Sequence, residues 1–280
     1  KTALLYVSVL TAGALVLTRA GGFDALHAAL PDAQYFNVFS RGIGHDGGEG
    51  LSMIFGVLST QTYAQSVFAG RDEPTVRRGL IASALLIPPI GVGGVLVGLY
   101  MRLDAPGIPS AQVFPQFVLR TMPGAFAGMV LATLLITIVG AGAGLALGAG
   151  TILSQDVYRR LRPQASDTAC LLVARLSIAA TLAASLFFTA ERLQAAILSW
   201  SFLSIALRGA MLFLPLCGAL FAPGKIDRRF ALAALVTGPL TVLVGKMVFS
   251  LPFDPLFLGM TAALLLMLVG FLKKRRHAAA

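Results

Sequence analysis

The sequence predicts an all-α fold, a polytopic transmembrane helical bundle forming one domain over residues 1–280. Three observations carry the prediction. Hydrophobic residues make up 57% of the chain and charged residues 12%, with a mean hydropathy of +0.83; soluble domains carry about 25% charged residues. Uncharged apolar runs recur at close to the ~20 residues a helix needs to cross a bilayer. Lys and Arg collect in alternate loops, as the positive-inside rule requires of a multi-pass protein.

Eight spans follow from the apolar runs, at about 2–18, 50–70, 79–101, 123–153, 168–190, 194–222, 230–250 and 255–272. The internal prolines Pro88, Pro89, Pro215 and Pro239 are compatible with membrane helices, where neighbouring groups re-satisfy the freed carbonyls. One set of loops carries Lys1, Arg71, Arg77, Arg78, Arg159, Arg160, Arg162, Lys225, Arg228, Arg229, Lys273, Lys274, Arg275 and Arg276; the other carries Arg19, Arg41, Arg102, Arg120 and Arg192. The first set is expected in the cytoplasm, with both termini of the chain. This also accounts for the net charge of +10 without nucleic acid as a partner. Cys170 and Cys217 lie in apolar runs and read as buried thiols. The chain begins at Lys1 without a signal peptide and reads as part of something longer.

The fourth span is the longest, and its centre, Gly140-Ala-Gly-Ala-Gly144 with Gly148 and Gly150, has almost no side chains. Gly140/Gly144 and Gly144/Gly148 are small-xxx-small pairs suited to close helix packing. The alternative is a backbone that approaches an ion or solute. The second span is the most polar, with Ser59, Thr60, Gln61, Thr62, Tyr63, Gln65 and Ser66 near one level. Interhelical hydrogen bonding explains such a cluster; a discontinuous helix lining a solute cavity explains it as well.

Catalysis has no foothold in the sequence. The twelve Asp and Glu residues fall in loops or at helix ends, and His27, His45 and His277 lie outside the spans. There is no H-E-x-x-H, G-x-S-x-G or phosphate loop. The string His45-Asp46-Gly47-Gly48-Glu49 reads as a solvated lip with a helix starting near Glu49, rather than a metal site. Three cations lie inside spans. Lys246 and Arg175 are placed to snorkel. Arg208 is near mid-span, where an arginine costs at least about 2.5 kcal/mol. It requires water, backbone carbonyls, an acid on another helix, or an anionic solute.

Two blocks resemble the sodium:solute symporter family. Met122-Pro-Gly-x-x-x-Gly128, the small-residue centre and Thr151-Ile-Leu-Ser-Gln-Asp156-Val-Tyr158-Arg-Arg resemble its eighth core helix. Gly56-Val-Leu-Ser-Thr60-Gln-Thr-Tyr63-Ala-Gln65 through Gly70, with Arg71 and Arg77-Arg-Gly79, resemble its sixth core helix and the start of the seventh. More weakly, Lys1 to Gly22 resembles the fifth. The resemblance implies a leucine-transporter-like inverted-repeat fold, incomplete here because the helices before core helix five are missing. It implies a secondary active transporter of a small organic solute across the cell membrane, a symporter rather than an enzyme, with the lipid bilayer as surroundings and no cofactor. Thr60, Gln61, Tyr63, Gln65 and Arg208 are the candidate solute-binding residues, and Arg208 allows an anionic solute.

The resemblance departs at one place. The two hydroxyl residues that bind sodium in the family correspond to Gly140 and Ala141, which have no side-chain oxygen. Leu5-Tyr6-Val7 likewise replaces the polar start of the fifth helix. Sodium coupling at the usual site is therefore in question, and sodium and proton stay open as coupling ions. A transporter-like sensory or interaction module without transport is the alternative function.

Overall fold

The structure, a computed structural model, describes residues 2–30, 33–187, 197–248 and 253–279. Lys1, Pro31, Arg192 and the expected span ends at 188–190, 194–196 and 249–250 lie outside the described residues. Among the described residues the regular structure is helical throughout. In chain order the helices are α1 (Thr2–Ala20), α2 (Phe23–Ala29), α3 (Gly48–Leu58), α4 (Gln61–Phe68), α5 (Glu73–Asp104), α6 (Ser110–Thr121), α7 (Gly124–Thr151), α8 (Arg159–Leu161), α9 (Asp167–Phe187), α10 (Ile197–Arg208), α11 (Leu214–Phe221), α12 (Arg228–Val248) and α13 (Leu256–Ala279). Wider π-helical turns occupy Ile43–Gly47, Ile152–Tyr158 and Gly209–Phe213.

Among the described residues, seven helical stretches are long and apolar enough to cross a membrane. The run expected as one span at 50–70 is instead two short helices, α3 and α4. The chain divides into two compact units, residues 1–36 with 70–195, and residues 37–69 with 196–280.

In the first unit α1 lies against α5 at glycines. A methyl group on Gly13 would stand 3.1 Å from Gly93 Cα, and one on Gly93 would stand 2.9 Å from the Val9 carbonyl. Such approach is what small residues permit between membrane helices. Val16, Val97, Met101, Phe117, Val118 and Val130 are buried together around this contact. Asp72 starts α5 by accepting from the Thr75 N–H at 2.8 Å, with Pro74 in the first turn; both choices satisfy or remove N–H groups that the helix leaves unpaired. Helix α6 was not expected as a span and is not one: it has 12 residues, and Phe117 and Val118 are its buried face.

In the second unit α3 packs on α10 and on the π-helical turn Gly209–Phe213. A methyl on Gly56 would overlap Ile205. One on Gly238 would overlap the Ala210 carbonyl. The starts of α3 and α13 are tied together: Ser52 Oγ donates to Asp254 Oδ2 at 2.7 Å, and the other oxygen of Asp254 accepts from the Leu256 N–H at 2.8 Å. Ala206, Ala210, Val242 and Leu256 form the buried centre of this unit.

Candidate functional site

Helix α3 stops at Ser59, where two hydroxyls turn back on it. Ser59 Oγ donates to the Phe55 carbonyl at 2.8 Å, and Thr60 Oγ1 donates to the Gly56 carbonyl at 2.7 Å. Hydroxyls that bond to the carbonyl four residues back bend or weaken a helix. Thr60 itself is extended, with φ −91° and ψ 124°. Helix α4 restarts at Gln61, and the N–H groups of Tyr63 and Ala64 donate to the Thr60 carbonyl at 3.2 and 3.3 Å. The helix is thus discontinuous, the second of the two explanations open for the polar cluster, with the break at Ser59–Thr60, and both side chains there are buried.

Arg208 reaches this break from α10. Its Nη1 donates to Thr60 Oγ1 at 3.0 Å, and its Nε donates to the Ser204 carbonyl one turn earlier at 3.1 Å. Of the partners the sequence allowed Arg208, the structure shows a backbone carbonyl, and it adds the Thr60 hydroxyl. The π-helical turn Gly209–Phe213 begins at the next residue. Gly209 sits against α3, where a methyl would stand 3.3 Å from the Gly56 N. Wider turns of this kind recur at functional sites. The sequence reading missed Gly56, Ser204 and Gly209 as parts of the site. Gly56 was findable as the small residue four before Thr60; Ser204 contributes only its carbonyl and leaves no side-chain signal.

The other candidates are not joined to this pair. Gln61, Tyr63 and Gln65 lie on α4 with exposed side chains. Gly140 and Ala141 lie in α7, in the first unit, and are exposed on a helix that runs on without interruption. The small-residue stripe packs closely at Gly150, where a methyl would stand 2.9 Å from Ile178 Cγ1. Around Gly142, Gly144 and Gly148 nothing among the described residues lies within 4 Å of an added methyl, so the close packing expected at Gly144/Gly148 is not seen there.

The lip before α3 is an ion cluster centred on Arg41. Its Nε donates to Asp46 Oδ1 at 2.8 Å and its Nη2 to Glu49 Oε2 at 2.6 Å. The hydrogen bond to Glu49 raises the Arg41 pKa. The Arg41 backbone N–H holds the Asp46 carboxyl below its usual value. Ligating atoms of His45, Asp46 and Glu49 lie within 4.8 Å of one another. Arg41 engages both carboxylates, and α3 begins at Gly48, one residue before Glu49. A cavity of about 270 Å³ beside it is lined by His45, Glu49, Phe202, Lys246 and Asp254 among others; neither Thr60 nor Arg208 lines it.

In many membrane transporters discontinuous helices mark the solute site. The sequence profile of the Sodium:solute symporter family matches residues 2–238, and the chain belongs to that family. It is similar to the sodium/glucose cotransporter 2 of Rattus norvegicus, 30% identical over 156 residues, which are 49% of this chain and 23% of the relative. It is similar also to the sodium/mannose cotransporter of Bos taurus, 29% identical over 104 residues, 37% of this chain and 17% of the relative. With the sodium/pantothenate symporter of Haemophilus influenzae it shares 25% identity over 117 residues, 41% of this chain and 24% of the relative. The matches thus span about a quarter or less of the length of these curated relatives.

Proposed function

We propose that the chain is part of a secondary active transporter that moves a small organic solute across the cell membrane, with both ends of this chain in the cytoplasm. The observation that carries the reading is the break at Ser59–Thr60 with the Arg208 guanidinium on the Thr60 hydroxyl. A broken helix frees backbone groups for a solute, and a fixed positive charge beside it favours an anionic one. Thr60 and Arg208 form the centre of the proposed site, and Gln61, Tyr63 and Gln65 supply further polar groups along α4. Helices of the same protein that precede this chain complete the leucine-transporter-like repeat and close the site around the solute.

The names of the relatives point to sodium as the coupling ion. Gly140 and Ala141 point the other way, because the carbonyls of the uninterrupted helix α7 are already engaged and cannot replace two lost hydroxyls. The reading is that any coupling ion is held differently from the family's usual site and that sodium is not required. Uptake by the full-length transporter in proteoliposomes tests it. Uptake unchanged when potassium replaces sodium is expected; strict sodium dependence defeats that part. A solute panel that includes carboxylates and neutral sugars tests the anionic preference.

A further inference from the structure

In the second unit the acids near the lip stand together with Arg41 and Lys246, so that end is close to balanced in charge. Asp46, Glu49 and Asp254 stand at the starts of α3 and α13. The other end is basic. Lys225, Arg228 and Arg229 lie where α11 turns into α12, and the run Lys273–Arg276 lies in the last turns of α13. The fold brings these two segments together. The Asp227 N–H donates to the Gly270 carbonyl at 3.3 Å, Phe230 packs on Gly270, and Lys273 Nζ lies 5.5 Å from the centre of the Phe230 ring. All seven cations are exposed, and among the described residues none of them makes an ion pair. The one nearby acid, Asp227, uses an oxygen to accept from the Arg229 N–H at 2.9 Å.

The run at the end of α13 suits the negative end of a helix dipole. Arg228 and Arg229 do not share that explanation: they occupy the first turn of α12, the positive end, and that turn holds no acid. Asp227, just before that turn, answers the Arg229 N–H with its carboxylate, but Lys225, Arg228 and Arg229 around it outnumber its single charge. The segment Leu256–Leu272 carries no charge and at 1.5 Å per residue extends about 25 Å, close to the hydrocarbon thickness of a bilayer. The cations therefore fall at the level of lipid headgroups. Directly inside them, Leu232, Val236, Leu265, Leu268 and Leu272 are exposed on α12 and α13, a surface suited to acyl chains.

We propose that the paired basic segments at the α11–α12 turn and the end of α13 bind the headgroups of anionic phospholipids, whose chains lie on the exposed leucines. A phospholipid fits both the charge and the apolar surface, which a free anion does not. Native mass spectrometry of the full-length transporter, after exchange into mixtures of phosphatidylglycerol and phosphatidylcholine, tests this. Preferential retention of phosphatidylglycerol is expected. The triple variant Lys225→Gln, Arg228→Gln, Arg229→Gln lowers the preference at least about tenfold, given about fivefold for each cation near an anionic surface. The triple variant Arg71→Gln, Arg77→Gln, Arg78→Gln, which removes equal charge from the same side of the membrane but beside Asp72 and Glu73, lowers it by a clearly smaller factor. Equal retention of the two lipids, or equal loss in both variants, overturns the proposal. Should the first variant not fold, amine labelling of the unsubstituted protein decides. Protection of Lys225 and Lys273 by phosphatidylglycerol, and not by phosphatidylcholine or inorganic phosphate, is expected. Protection by inorganic phosphate alone would mean a free-anion site and would overturn the lipid assignment.

Discussion

The Thr60 hydroxyl serves two partners at once, donating to the Gly56 carbonyl and accepting from Arg208. Thr60→Val keeps the shape and removes both bonds. It leaves an arginine in a membrane helix without one of its partners, and a lost hydrogen bond to a charged group costs about 1.5–3 kcal/mol. A lower melting temperature in detergent is the expected outcome, measured by size-exclusion survival after heating. For transport, Arg208→Gln is expected to reduce uptake at least about tenfold, equivalent to about 1.4 kcal/mol. Lys246→Gln, exposed near the end of α12, is expected to change uptake little. Equal small effects would return Arg208 to a structural role. The lip titrates separately. Asp46 has a lowered pKa, so its hold on the Arg41 N–H is complete above the usual carboxylate value of about 4 and is lost as pH falls through the lowered one. Hydrogen exchange at the Arg41 amide, corrected for intrinsic rates, should accelerate only on the acid side of pH 4. Asp46→Asn should abolish that step.

At the scale of elements, the break and the tight packing of α3 depend on each other. Gly56 both supplies the carbonyl that Thr60 caps and lets α3 approach Ile205 on α10, the helix that carries Arg208. Gly56→Ala places a methyl against the Ile205 side chain and carbonyl, and the backbone cannot yield as a flexible side chain would. Overpacking of this kind costs about 1–3 kcal/mol. The expected outcome is reduced folded yield together with lost uptake, because the shift that relieves the overlap also moves Arg208 away from Thr60. Normal yield with normal uptake would show that the close approach is not needed. How much of this was legible differs by residue. Five hydroxyl and amide side chains from Ser59 to Tyr63 announce that an apolar helix is in trouble there. They do not say which residue leaves the helix, since that depends on how α3 meets α10 and Arg208.

At the scale of the whole molecule, the charge pattern sets the expected topology. Cysteine placed at Asp104 should label from outside the cell and cysteine at Asp227 from the cytoplasm; labelling of both from one side would refute the eight-span arrangement with cytoplasmic ends. The stripe from Gly142 to Gly148 on α7 is open within its unit.

Composition and the spacing of charges determined that this chain is an all-α membrane protein, because transferring 57% hydrophobic residues with 12% charged ones into water would leave too much apolar surface uncovered. The motifs around Gly56–Gly70 and Met122–Arg160 determined the family. The pairing of Thr60 with Arg208 was decided by tertiary structure alone. The two residues are 148 positions apart, and only the approach of α3 to α10 at Gly56 makes them neighbours. The same holds for the basic patch. The sequence shows two clusters some 45 positions apart in separate loops. The contact of Phe230 with Gly270 makes them one surface, because a glycine on α13 lets the start of α12 come close enough for a backbone hydrogen bond.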